Sequence, residues 1–454
     1  MHDVNDILGI KGIKTNDVQV VQDFGEPTKH IVSCELTDSL ETCGAENCCR
    51  SFHIKETKTS KFKDLPLTGH QTELHLKVPR YRCKMDGSTF SPELSVAASG
   101  TKMTTRLLNH VAIAVFGITI TDVASEYGLS KSSAYRAFDE VRYLMEREYV
   151  QEAPEVLGID ECHFAGEAHA VFTDIRPLAK HHEKSQKKRP GQKNQVIDMH
   201  VSRSKDAICE TIQSWANIDN IRYVAIDMYR PYRDAVRATI PNAVVVIDKR
   251  HVLEYARKAM EEERLKLWRR LKKSKNKALK GSLKRLTRLI NKRPFDMPDD
   301  DKAWMMENLS NYPNLATAYE LKEQFYNMWE ASSGEEAREY YRAWENSIPE
   351  DIEESFKDTL SIFKNWGDEI FAYFDTPLAI TNAYTESANR LIKKVYHQGY
   401  GNYRFDNLRA RVLHKHGPWT KEMIMITIGE ELACGTLLDG DGMIEQALSR
   451  HCFE

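Results

Sequence analysis

Five short apolar runs rich in Val and Ile constrain this chain more than any other feature: Val156 to Asp160, Ala168 to Ile175, Gln195 to Val201, Arg222 to Asp227 and Asn242 to Asp248. Each has strand length, and together they make a sheet. Ser204 to Ile218 opens on a hydroxyl suited to capping a helix, and Pro231 to Ile240 on a proline suited to a first helical turn. The order predicted is three strands, a helix, a strand, a helix and a strand. Residues 255–375 then read as almost wholly helical. Strand-edge sequence resumes at Asp375 to Glu386 and leads into a helix through about Tyr396. A sheet domain interrupted by helices follows from this order.

At 454 residues the chain has room for about three folding units. Its 64 Lys and Arg nearly cancel 67 Asp and Glu, for a net charge of −3, so any attraction to nucleic acid must come from local patches. Such a patch exists. Arg264 to Arg293 holds 14 Lys or Arg and no acid, whereas Glu330 to Asp375 holds 13 acids against four bases. Leu265, Trp268, Leu271, Leu279, Leu283, Leu286 and Ile290 recur at mostly helical spacings in the basic block. Its cations, Lys272 and Lys273 among them, either contact DNA phosphates or dock on the acidic stretch. The longest apolar run, His110 to Ile120, is well short of the roughly 20 residues of a spanning helix. The amino terminus lacks the pattern of a secretory signal, so a cytoplasmic protein is expected. Of nine Cys, four fall between Cys34 and Cys49 and one at Cys83, which in a reducing compartment points to metal binding rather than disulfides.

Cys43 and Cys48, the alternating run Thr72, Leu74, Leu76 and Val78, then Cys83 and Asp86 have the layout of a zinc ribbon: a ligand pair, a hairpin and a second pair. The first pair is widened, and Asp86 stands where a fourth Cys belongs. Three thiolates and a carboxylate suit Zn²⁺; a ribbon held by packing alone is the alternative. Downstream, Val123, Ala124 and Tyr127 form an apolar stripe, Gly128 can break a helix and Ser130 can cap the next one. That second helix carries Lys131, Ser132, Ser133, Tyr135 and Arg136 near its start, hydroxyls and cations of the kind that read a major groove. The reading is a helix-turn-helix, with a helical hairpin of a bundle as the alternative.

Asp160 ends the first strand of the sheet, Asp227 the fourth, and Glu386 lies on the helix after the insertion. Phosphodiester chemistry uses two hard cations about 4 Å apart, whose natural ligands are carboxylates. Any one Asp at a strand end is more often a turn residue; the combination is what carries information. Glu161, Asp174 and Asp198 are rival carboxylates, read as supporting or solvent-facing, with Glu161 the most credible substitute because it adjoins Asp160. Glu386, Asn389, Arg390 and Lys393 share one helical stripe, so the carboxylate can hold a metal while Lys393, with Asn389 beside it, contacts DNA. Asp248 and His251 stand three residues apart just past the fifth strand, and both can face the cleft. A His bonded within its own helix is the rival reading for His251.

Gly158 to Glu161, Asp227 to Tyr232, Pro241 to His251, Asn382 to Lys393 and Tyr400 to Arg409 together resemble, in order, the ISL-three family of bacterial insertion-sequence transposases. With the ribbon, Asp64 to Pro66, Arg80 to Cys83 and the paired helices, the likeness runs from about Cys43 to Leu413. It implies a multidomain α+β and α/β protein: a zinc-ribbon-like DNA-binding module over 30–100, a helix-turn-helix over 101–150, and a ribonuclease H-like mixed-sheet domain over 151–254. An all-helical insertion over 255–375 would interrupt that domain, which resumes with C-terminal helices over 376–454. The resemblance makes Asp160, Asp227 and Glu386 the DDE ligands of Mg²⁺ or Mn²⁺, with Asp248 and His251 as a pair associated with insertion-bearing transposases. Expected partners are double-stranded DNA, both element ends and target, and further copies of the chain in a dimer or larger assembly. A structure-specific nuclease and a catalytically inert regulator are the competing functions.

Overall fold

The computed structural model describes residues 10, 12–22, 28–37, 51–92, 94, 96–97, 101–177, 193–272, 277–399 and 404–434, the side chains of 277–280 and 429–434 apart. The chain forms two compact units, residues 1–149 with 395–454 and residues 150–394. In chain order the first contributes strands β1 (Ile13–Val21), β2 (Lys29–Leu36), β3 (Phe52–Leu67), β4 (His70–Cys83) and β5 (Thr89–Phe90), and helices α1 (Thr105–Gly117), α2 (Ile120–Glu126) and α3 (Lys131–Glu148). Next come β6 (Val156–Phe164), β7 (Glu167–Asp174), β8 (Gln195–His200), α4 (Lys205–Gln213), β9 (Tyr223–Ile226), α5 (Arg230–Thr239) and β10 (Val244–Ile247). Then follow α6 (Lys249–Lys272), α7 (Lys277–Leu289), α8 (Asp299–Leu309), α9 (Pro313–Asn327), α10 (Gly334–Asn346), α11 (Glu350–Asp375) and α12 (Ala383–Gln398). Two helices close the chain, α13 (Phe405–His416) and α14 (Lys421–Cys434).

In the first unit the sheet runs β1-β2-β4-β3, with β5 on β4; β2 and β4 are parallel and the other pairs antiparallel. The β3–β4 hairpin turns at Thr68 and Gly69, both at positive φ (51° and 83°), which matches the twist of paired strands. Thr72, Leu74, Leu76 and Val78 alternate inward, and the three apolar ones pack with Val32, Cys34 and Phe62. The alternating run thus belongs to a five-stranded sheet that begins at Ile13, wider than the small ribbon expected from residue 30. Buried Asp64 ties the sheet to α1: it accepts from Thr104 Oγ1 at 2.7 Å and pairs with Arg106, whose Nε lies at 2.8 Å. Helices α1, α2, α3, α13 and α14 enclose a second core around Val111, Phe116, Phe138, Leu413, Trp419 and Ile424.

Between α2 and α3 the turn is set by local chemistry. Gly128 takes φ +63°, Leu129 N donates to Ala124 O at 2.8 Å, and Ser130 Oγ caps α3 by accepting from Ser133 N at 3.0 Å. The outer side of the first turns of α3 then exposes Lys131, Ser132, Tyr135 and Arg136, while Ala134, Ala137 and Phe138 are buried.

In the second unit the sheet order is β10-β9-β6-β7-β8. β6 pairs parallel with β9, and β9 with β10; β7 and β8 add antiparallel. All five apolar runs are strands, and both intervening helices form where their capping residues place them. Between β10 and α12 the chain runs through six helices, α6 to α11. One apolar core continues from Leu157, Val224 and Val246 of the sheet into Phe325, Trp344, Phe356 and Phe363 of these helices.

Candidate active site

The parallel strands set the site. β6 and β9 run side by side as far as Gly158 opposite Ala225. Asp160 does not end its strand as expected: it sits in the middle of β6, two residues past the last one paired with β9, and β6 pairs on with β7 to Phe164. Asp227 lies one residue past β9. Asp248 follows β10 in the same way, and Glu386 lies in the first turn of α12, where the helix dipole favours an acid. Gly158 lets α12 approach: a Cβ there would fall 2.5 Å from both Thr173 Oγ1 and Thr385 Oγ1, which hydrogen-bond each other at 2.7 Å.

His251 joins two of the acids. Its Nε2 lies 3.1 Å from Asp227 Oδ1 and 3.5 Å from Glu386 Oε1, so residues from β9 and α12 meet at one imidazole nitrogen. Asp160 belongs to the same charged cluster. Burial pushes its carboxyl up to about 7, with the charge of Asp227 the next cause. Asp227 is likewise raised to about 7, first by burial, then by Glu161, Asp248 and Glu386. Clustered carboxylates that raise one another in this way form a centre that favours a cation.

Two asparagines organise the acids. Asn382 donates its backbone N–H to Asp248 Oδ2 at 2.6 Å and its side-chain amide to Ile159 O at 3.1 Å, fastening the start of α12 across β6 and β10. Asn389, expected on the DNA, donates its amide instead to Asp160 Oδ2 at 2.8 Å and Glu161 O at 3.1 Å. Asp248 also accepts from Arg250 N at 2.9 Å and is buried, which makes it a brace for the α6 start. Neither asparagine's part in the centre was read from the residues; Asn382, four positions before Glu386, was visible only as the start of a motif.

Of the rival carboxylates, Glu161 stays beside the centre and raises Asp227, while Asp174 and Asp198 are engaged elsewhere. Glu161 pairs with Arg203 at 3.1 Å and accepts from Tyr232 Oη at 3.2 Å. Asp174 pairs with Arg176 at 2.5 Å, and Asp198 accepts from Trp215 Nε1 at 3.3 Å; both are buried, so neither faces solvent. Lys393 is exposed on α12 and Lys272 at the end of α6, while Lys273, Cys43 and Cys48 lie outside the described residues. Cys83 is buried at the end of β4. Asp86 is exposed in the turn beyond it, and hydrogen bonds from Ser88 and from the Cys83 thiol hold its carboxyl below the usual range. A cavity of about 320 Å³ is lined by Lys63 on β3, Lys102, and Ser130, Ser133, Arg136 and Glu140 at the start of α3.

By chemistry the donor set suits a hard divalent cation: Asp227 and Glu386 both approach His251 Nε2, and Asp227 Oδ1 is buried without a hydrogen bond. The centre is not preassembled, since among the described residues no group of three His, Cys, Asp or Glu is set to hold a metal ion as it stands. Glu386 instead pairs with Arg250. No helix among the described residues is long and apolar enough to cross a membrane.

Comparison with known proteins gives the family. Residues 157–412 match the ISL3-type DDE family described as transposase, and residues 42–85 match the zinc finger of the IS204, IS1001, IS1096 and IS1165 transposases. The second interval contains Cys43, Cys48 and Cys83 and stops one residue before Asp86. The chain is 26% identical over 406 residues to the transposase for insertion sequence element IS1001 of Bordetella parapertussis, covering 85% of this chain and 90% of that relative. The first match takes in more than half of the 454 residues and every one of the clustered carboxylates, and on that ground the chain belongs to the ISL3 family of DDE transposases.

Proposed function

We propose that this transposase binds the terminal inverted repeats of its own element, cleaves the DNA there and joins the freed ends to a target. The observation that carries the reading is the meeting of Asp227 and Glu386 at His251 Nε2, with Asp160 in the same cluster. The strand order of the second sheet and its helical interruption between β10 and α12 support a ribonuclease H-like domain with an insertion.

Asp160, Asp227 and Glu386 would hold Mg²⁺ or Mn²⁺. Bound there, the ions supply a more acidic water and neutralise charge developing at phosphorus. In the first step water attacks the phosphodiester at the element end, and the 3′ oxygen leaves as a hydroxyl. That 3′ hydroxyl then attacks a target phosphodiester, forming one bond as the target's own 3′ oxygen departs. Asn389 and Asn382 keep the acids in register, Asp248 fixes the turn that carries His251, and His251, exposed at its edge, donates to a phosphate oxygen.

End recognition falls to the α2–α3 pair, read as a helix-turn-helix with Lys131, Ser132, Ser133, Tyr135 and Arg136 toward the DNA, and to a ribbon in which Cys43, Cys48, Cys83 and Asp86 would hold Zn²⁺. Synapsis of two ends calls for a dimer or larger assembly. A regulator would need only the DNA-reading parts, and a clustered acid centre favours the enzyme over it. The test is Asp227→Asn with duplexes carrying the repeats that flank the gene. Binding should persist and Mg²⁺-dependent cleavage should fall by at least about 10³-fold. Equal cleavage by variant and wild type overturns the assignment.

A further inference from the structure

Resting on that two-cation reading, we propose that Arg250 is an exchangeable counterion: it holds Glu386 while the acid centre lacks metal and passes to a DNA phosphate once a divalent ion takes the carboxylate.

Glu386 is held by a guanidinium on one oxygen and faces an imidazole nitrogen on the other. Arg250 Nη1 contacts Oε2, and His251 Nε2 stands 3.5 Å from Oε1. A guanidinium on Oε2 competes by charge and by position with a hard cation for the same carboxylate, and Arg250 is the partner placed to leave. Its side chain is 72% exposed against 19% for Glu386, so the pair is weakly held in water. Its main chain, by contrast, is fixed, because Arg250 N donates to Asp248 Oδ1 at 2.9 Å. The residue therefore has an anchored root beside the acids and a mobile head at their edge.

The other cations near this turn are engaged differently: Lys249 lies 5.9 Å over the Tyr373 ring, and Arg257 pairs with Glu254. Displacement by a metal would release a planar guanidinium at the mouth of the centre, and the fork of an arginine matches phosphate oxygens in pairs. The exchange leaves no bare guanidinium beside the added cation charge. A divalent ion brings two charges to the carboxylate where the guanidinium brought one, and the released guanidinium is received by the arriving phosphate, which couples metal entry to DNA seating.

The test uses the full chain. Mn²⁺ binding to DNA-free protein, followed by calorimetry, should be about fivefold tighter in Arg250→Ala and Arg250→Gln than in wild type, and close to wild type in Arg250→Lys. Structural damage would weaken binding, so the direction separates the two causes. With Ca²⁺ and repeat-bearing duplexes, Arg250→Ala should lower affinity and reduce the salt slope by about one. Unchanged or weaker Mn²⁺ binding in both neutral variants, or an unmoved salt slope, overturns the exchange. Mn²⁺ binding that Asp227→Asn leaves intact would instead sink the parent reading, and this inference with it.

Discussion

Asp160 and Asp227 owe their chemistry to burial among like charges, and a third raised carboxyl shows how the same physics acts away from the centre. Glu140 on α3 is pushed up to about 7, chiefly by burial, with Asp139 adding to the rise and Arg136 opposing it. Its ordinary value is 4.5, so the folded state holds the proton more tightly than the unfolded chain. Glu140 thus contributes stability that is full below about 4.5 and is lost as pH rises through about 7. The thermal midpoint of the first unit should fall between pH 5 and pH 8, and Glu140→Gln should flatten that fall and raise the midpoint at pH 8. Calorimetric scans across this range are the check, and a variant that melts with wild-type pH dependence refutes the cause. The acids were picked out from the sequence, whereas their partners in the fold were not. Asn389 shared a stripe with Glu386 and Lys393 and was read toward DNA; the fold instead brings Asp160 of β6 to its amide across 229 positions.

Strands and helices were legible wherever local periodicity and capping agree. The runs from Val156 to Asp248 form strands because they alternate or bury both faces, and α3 starts at Ser130 because its hydroxyl satisfies a helical N–H. Less visible was the crossing of elements. Gly158 is an ordinary strand glycine until α12 packs on it, and then a methyl group has no room beside Thr173, Thr385 and Ile175. Gly158→Ala should destabilise the second unit by about 1–3 kcal/mol through overpacking. It should also displace the start of α12 and with it Glu386. Cleavage is expected to drop by more than about tenfold while binding to repeat-bearing DNA holds, since a small misplacement of a catalytic group is costly. Denaturant unfolding and cleavage assays on one preparation test both halves; full activity would show that α12 yields without moving its acid.

Across the whole molecule, charge segregation had two readings, and the described ion pairs bear on the choice. The basic block pairs with Glu261, Glu262, Glu263, Asp301 and Glu323, all outside the acidic stretch from Glu330 to Asp375. That stretch pairs through Glu369 with Arg233 and Arg237 on α5. Arg269, Arg270 and Lys272 remain exposed at the end of α6. Replacing these three by Gln should reduce the salt slope of DNA binding by up to about 3, close to one per lost phosphate contact. A slope equal to wild type would place the DNA elsewhere. Periodicity, capping and the runs of like charge are local properties, so strands, helices and the interruption of the sheet could be read from residue order alone. Contacts depend on which distant segments arrive together and at what angle. The packing of α13 and α14 with α1 to α3, the stitching of β6 and β10 by Asn382, and the pairing of Arg250 with Glu386 across 136 positions all have that origin. Side-chain direction in such meetings is set by packing between elements, which no local pattern encodes.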